Sequence, residues 1–222
     1  MLMQERIEEL RADAARMAGK VQQQVADAVE AFRTGNLPLA QQVIARDRAI
    51  DQDELQIERA AIDLLSLHQP LAGEFRIVVA VIKVNNDLER IADCASNVAG
   101  QVKAIDAEHL SDGVAYAVPK ELVELGLVVV ELVRQAVRTF NYADHEQARH
   151  VISEDNRVDA LYASIVQSSL TDMRQESGHV SRDMAHVMIA KNLERIGDHC
   201  TNIAEDIVYA TSGEIIRHRH AG

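Results

Sequence analysis

The sequence predicts an all-α protein built from two tandem, pseudo-symmetric three-helix bundles. Three observations carry this reading. Apolar residues recur at spacings of three and four over stretches longer than an average helix. Helix breakers are scarce, with 10 Gly and 3 Pro in 222 residues, and aromatic residues make up only 3%, a composition suited to long helices. Finally, Leu88-Glu89-Arg90-Ile91-Ala92-Asp93 returns 105 residues later as Leu193-Glu194-Arg195-Ile196-Gly197-Asp198. A chain that repeats itself at this distance is read as a duplicated unit. The first bundle is expected over residues 1–109 and the second over 110–222.

From Met3 to Arg33, Ile7, Leu10, Ala14, Met17, Val21, Val25, Ala28 and Phe32 mark one face of a single helix. Thr34-Gly35-Asn36 stops it, and Pro38 lies in the first turn of the second helix, where a missing N–H is tolerated. Val43, Ile44, Ile50, Ile57, Ile62 and Leu65 are expected to point inward before that helix ends near His68-Gln69. Pro70 opens the third helix, carried by Phe75, Val78, Val81, Ile82, Leu88, Ile91 and Val98 to about Ile105. Ser111-Asp112-Gly113 reads as the break between halves. Pro119 lies early in helix four, which runs to about Asn141, and Asp144 is placed to cap helix five. Helix five extends to about Glu176, Ser177-Gly178-His179 forms a loop, and helix six spans about Ser181 to Tyr209. Gly213 and a basic tail, Arg217-His218-Arg219-His220, follow. All six helices are expected to be roughly 25–37 residues long and, being joined by short connections, to pack antiparallel.

A second repeat lies on helices two and five. Phe32, Ala40, Val43, Ile44, Asp47 and Asp51 are answered at an offset of 108 by Phe140, Ala148, Val151, Ile152, Asp155 and Asp159. The offset then falls to 105, so the second half has lost three residues in the intervening loop. Each half therefore carries two acid pairs at i, i+4: Asp47/Asp51 with Glu89/Asp93, and Asp155/Asp159 with Glu194/Asp198. Like charges at that spacing cost an isolated helix roughly 0.2–0.5 kcal/mol per pair. A chain that keeps four such pairs at duplicated positions calls for something positive between them. Asn97 and Asn202, eight residues past Glu89 and Glu194, would extend each strip. Four carboxylates on adjacent helices form an all-oxygen donor set suited to hard cations such as Mg²⁺, Ca²⁺, Mn²⁺ or ferric iron. The competing reading is a solvated acidic face screened by Arg90 and Arg195 as surface ion pairs.

Other chemistry finds less support. A net charge of −12 without a Lys/Arg stripe argues against a nucleic-acid partner. No apolar run approaches the roughly 18 residues of a membrane span, and Met1-Leu2-Met3-Gln4-Glu5-Arg6 lacks a signal-peptide layout. Cys94 and Cys200 read as small core residues, so a soluble, reduced, cytoplasmic protein is expected. A ferritin-like di-iron bundle needs Glu-x-x-His on two helices; here only Glu176…His179 fits, in a loop. His186 and His199 read as packed or surface histidines and Met184 and Met188 as core, while the basic tail reads as solvated. Phosphate loops, nucleophile elbows and zinc spacings are absent.

The paired D/N-L-E-R-I-A/G-D segments, the D-x-x-x-D segments at Asp47–Asp51 and Asp155–Asp159, and the closing Val208-Tyr209-Ala210-Thr211-Ser212-Gly213-Glu214 resemble the PhoU family over nearly the whole chain. The resemblance implies two bundles that bind metal ions or multinuclear clusters. Carried over residue by residue, the ligands are Asp47, Asp51, Glu89 and Asp93 in one half and Asp155, Asp159, Glu194 and Asp198 in the other. Iron, magnesium, manganese, zinc and calcium are the candidate ions. It also implies a homodimeric, non-enzymatic regulator that restrains phosphate uptake and phosphate-starvation signalling. The partners it implies are the phosphate-transporter ATPase and a sensor histidine kinase. Asp87 is matched by Asn192 and Ala92 by Gly197, differences that would make the two metal sites unequal. A carboxylate-bridged metalloenzyme, or a helical adaptor outside phosphate signalling, are the alternative classes on these residues.

Overall fold

The computed structural model describes residues 3–68, 70–112, 117–175 and 179–213. Gly113, Ser177-Gly178 and the Arg217–His220 tail lie outside the described residues. Six helices follow one another: α1 (Met3–Thr34), α2 (Leu37–His68), α3 (Ala72–Asp112), α4 (Lys120–Tyr142), α5 (His145–Gln175) and α6 (Val180–Ser212). Among the described residues there is no strand. Two lengths depart from expectation. With 41 residues, α3 runs past Ile105 because no Gly or Pro interrupts residues 106–112. At 23 residues α4 is shorter, since Pro119 adopts an extended backbone (φ −52°, ψ 139°) and stands before the helix.

The turns follow their residues. Gly35 takes φ 67° after α1, and the Asn36 side chain accepts a hydrogen bond from the Leu39 amide at 3.1 Å, capping α2. Asp144 does the same for α5 through the Gln147 amide, also at 3.1 Å. Gly213, at φ 74°, closes α6 by donating its N–H to the Tyr209 carbonyl.

The repeat is visible in the buried faces. Ala14, Met17, Val21, Val25, Val29 and Phe32 of α1 are answered in α4 by Leu122, Leu125, Val129, Val133, Val137 and Phe140, all buried at the same offset of 108. Each large side chain so buried contributes roughly 1.5–3 kcal/mol. Where α1 has Ala18, α4 has Gly126, and a Cβ there would lie 2.9 Å from both Phe32 Cζ and Val29 Cγ1. A glycine is what lets α4 close onto α1.

Within each half the three helices pack together, and the halves join through α3 against α6 and α1 against α4, leaving α2 and α5 on the flanks. Lys83 meets Asp206 while Asp87, one turn on, meets Asn202 and His199, so α3 and α6 run antiparallel. One apolar core runs continuously through both halves. Several residues expected inside are close to half exposed: Ile44, Ile62, Phe75, Met184 and Met188. On α2 only a narrow stripe is covered, by α1 and α3, and its buried line runs through Val43, Ile50, Ile57, Ala61 and Leu64. Ile44 and Ile62 each sit one residue off that line, about 100° around the helix. Phe75 lies in the first turn of α3, at the bundle end, and Met184 and Met188 flank the buried line of α6. No helix of the described residues is long and apolar enough to cross a membrane.

Candidate functional site

The eight predicted carboxylates lie on two equivalent seams, between α2 and α3 and between α5 and α6. In the first, Asp47 falls between buried Val43 and Ile50, and Glu89 follows buried Leu88, so packing of the apolar stripes brings the acids to the seam. Their mutual influence shows the convergence. Burial pushes the Asp47 carboxyl above its ordinary range; hydrogen bonds from Ser96 and Gln24 pull it down, while Asp51 and Asp93 add to the rise. Glu89 is raised by burial, then by Asp93, and also by Asp51 and Glu54 across the seam. Gln24 of α1 is buried, and its Nε2 lies 3.0 Å from Asp47 Oδ1, 3.2 Å from Ser96 Oγ and 3.3 Å from the Ala92 carbonyl. Arg90 bridges Glu89 and Asp93, each at 3.3 Å.

The second seam is arranged differently. Asp155 is raised to about 6, by burial first and then by Asp159, Asp198 and Glu194. Thr201 stands where Ser96 stands in the first half and lowers it slightly, but its hydroxyl and Asp155 Oδ1 are both buried without a well-formed hydrogen bond. At the place of Gln24 is the buried Leu132, which offers no donor. Asp198 is likewise raised by burial, Glu194 and Asp159. Gly197 replaces Ala92, and a Cβ on it would lie 3.1 Å from Val158 Cγ1 and 3.5 Å from Asp155 Oδ1. The cation here is Lys191, whose Nζ lies 2.6 Å and 2.8 Å from the two oxygens of Glu194 and 5.3 Å from the centroid of the Tyr162 ring.

Asn202 does not extend the second strip as expected. Its Nδ2 donates to Asp87 Oδ1 at 3.2 Å, and His199 Nδ1 lies 2.8 Å from the same oxygen, so both side chains join the two halves. Eight residues of helix rotate a side chain by about 80°, enough to carry it from one neighbouring helix to another. Asn97 is exposed. Cys94 and Cys200 are buried thiols pushed up by burial, Cys94 to about 11, which leaves them unreactive core residues. Among the described residues, no group of three or more His, Cys, Asp or Glu side chains forms a ready-made metal cage. Arg90, Lys191 and Gln24 take up oxygens of Glu89, Asp93, Glu194 and Asp47. Gln24, Lys191 and Glu54 were not singled out from the sequence. A buried polar residue on an otherwise apolar face is the one signal that marked Gln24.

Fold and seams together define a class: a tandem-duplicated helical protein in which each half sets four carboxylates between its second and third helices. Two segments, residues 14–102 and 122–207, match the PhoU domain, and the chain belongs to the PhoU family. It is 37% identical over 213 residues to the phosphate-specific transport system accessory protein PhoU homolog of Zymomonas mobilis, covering 96% of this chain and 88% of that protein. The phosphate-specific transport system accessory protein PhoU of Escherichia coli is 30% identical over 213 residues, covering 96% and 86%. The crystal structure of PhoU from Pseudomonas aeruginosa superposes with a TM-score of 0.89 at 32% identity, over 96% of this chain and 100% of that one.

Proposed function

We propose that this chain is a cytoplasmic, metal-binding regulator of phosphate uptake that works by docking rather than by catalysis. The observation that carries the reading is near-full-length similarity to proteins named as accessory to phosphate-specific transport. In this reading it restrains the phosphate transporter through its ATPase, and starvation signalling through a sensor histidine kinase, when phosphate is plentiful. Helices of 31 to 33 residues such as α2, α5 and α6 extend about 45–50 Å. Faces of that length supply the roughly 1,200–2,000 Å² of a standard interface. It acts as a homodimer, which light scattering of the purified chain measures.

The residues fit a hard cation. The donors are all oxygen, the carboxyls are raised first by burial and then by one another's charge, which a cation would offset, and Asp155 Oδ1 is a buried acceptor without a well-formed hydrogen bond. Asp47, Asp51, Glu89 and Asp93 would hold one ion or cluster and Asp155, Asp159, Glu194 and Asp198 the other, with Arg90 and Lys191 yielding their oxygens. Iron, magnesium, manganese, zinc and calcium are the ions to assay, and their role is to neutralise and brace the seams.

Elemental analysis of the purified protein with and without chelator tests the metal. Asp51→Asn with Asp93→Asn should empty the first seam only. Metal-free preparations whose melting temperature ignores both chelator and added ions would end that part of the reading. Deleting the protein should leave phosphate-starvation genes on in high phosphate. Normal repression in the deletion strain, or no binding to either the transporter ATPase or the kinase, would end the regulatory part.

A further inference from the structure

The two halves part company at one end of the second. At the offset of 108, Lys120, where α4 begins, answers Ala12, so the first nine residues of α1 have no helical counterpart in α4. In the first half those turns bury Ile7 and Leu10 in the core. In the second half a cavity of about 360 Å³ opens instead, between the start of α4, α5 and α6.

Around that cavity the chemistry changes as well. Val78, Val81 and Leu64, buried in the first half, are answered by Asp183, His186 and Asp172, and Ala60 and Ala61 by Ser168 and Ser169. The first half shows that apolar residues pack this corner adequately, so the fold does not require the polar set. Its cost is visible too. His186 is 3% exposed, its Nε2 is buried with no hydrogen-bond partner, and its Nδ1 stands 4.0 Å from Asp183 Oδ1, beyond hydrogen-bond reach. A buried polar atom left unsatisfied destabilises a fold unless something completes it. Burial holds the imidazole neutral, its pKa lowered to about 4 against the opposing pull of Asp183.

The charges select what completes it. Among the described residues three carboxylates line the cavity, Glu121, Asp172 and Asp183, against one guanidinium, Arg182. Both Nε and an Nη of Arg182 lie 3.3 Å from Asp183 Oδ1. The amino end of α4 has no side-chain cap, but Glu121 in its first turn offsets its positive pole. An anion meets net repulsion here and a cation net attraction. Val118, Pro119 and Ile165 provide an apolar wall, and the volume falls in the range of small-molecule sites. We propose that this cavity binds a small organic ammonium ion, which pairs its charge with Asp172 and donates a hydrogen to His186 Nε2 once the imidazole, covered in the unliganded chain, turns that atom to the cavity. With its proton on Nδ1, facing Asp183, the imidazole presents Nε2 as the acceptor. The site is independent of the carboxylate seams and of the phosphate reading.

Calorimetric titration of the purified full-length chain with ethanolamine, 1,4-diaminobutane and inorganic phosphate tests this. At least one amine should bind saturably at one site per chain, and phosphate should not. Asp172→Leu and His186→Val, which install the first half's residues, should each weaken the amine at least tenfold. Asp172 is exposed, so its variant folds whatever the fate of the other. Without ligand, His186→Val should melt no lower than the parent, as the equivalent Val81 packs well. No saturable binding of either amine up to about 10 mM, binding untouched by Asp172→Leu, or phosphate bound in preference to both amines would overturn the proposal.

Discussion

Asp47 and Asp155 occupy the same place in the two halves and meet opposite surroundings. Asp47 receives a hydrogen bond from the buried Gln24 amide and a second from Ser96. Asp155 belongs to a half with Leu132 at the place of Gln24, keeps a buried oxygen without a well-formed hydrogen bond, and lies close to Gly197 of α6. The counter-charges differ too: Arg90 spans two acids of the first seam, whereas Lys191 is concentrated on Glu194 in the second. Duplication has kept the eight carboxylates and let their support diverge. The lesson is that identical carboxylate sets need not be equivalent, because the charge within a set is governed by what lies behind it. The second seam has the less supported acid, and under the proposed metal-binding reading it would gain more from a cation.

Substituting the unsupported acid should have the largest effect. Asp155 has a folded value of about 6 against an ordinary 3.8, so the native state holds the extra proton between those values. Its contribution is therefore favourable below about 4 and lost as pH rises through about 6. A shift of that size corresponds to at most about 3 kcal/mol, discounted to about 1–2 kcal/mol because water screens the outer acids. Asp155→Asn should stabilise the metal-free protein by that amount at pH 7 and flatten its pH dependence between 4 and 6. Urea unfolding across pH 4–7.5 measures both. If Asp155 is a ligand as proposed, the sign should reverse with saturating Mn²⁺ or Ca²⁺.

The next test makes the first seam resemble the second. Gln24→Leu removes the amide behind Asp47 and should cost about 1 kcal/mol, the loss of a hydrogen bond to a charged group being partly offset by apolar burial. The Asp47 carboxyl should then titrate higher than in the parent, which carboxyl NMR would follow. An unchanged titration would show that Gln24 does not set the difference.

Smallest is Lys191→Asn, which installs the residue found at the equivalent Asn86. The Lys191 side chain is 44% exposed, so the stability change should be within about 0.5 kcal/mol. Removing it should nonetheless strengthen divalent-cation binding at the second seam alone, read as a tighter isotherm for one of two sites. Equal tightening at both sites, or none, would break the asymmetry argument.

Much of this molecule was determined by sequence alone. Helix period, capping residues such as Asp144, and the offsets of 108 and 105 are local or self-comparing signals, and they were enough for six helices in two related sets. They also placed the eight acids, because i, i+4 spacing puts two side chains on one face of any helix. What required the tertiary structure was everything that depends on a second helix. One residue of error in a buried stripe rotates a side chain about 100°, which is why Ile44, Ile62, Met184 and Met188 emerged at the surface. The same arithmetic sent Asn202 across to Asp87. That Gln24 stands behind Asp47, that Lys191 meets Glu194, and that His186 is stranded beside a cavity depend on which helices touch and at what height. The physical reason is that burial and pairing are properties of contacts between distant segments, and a periodic sequence specifies the face of a helix but not its neighbour.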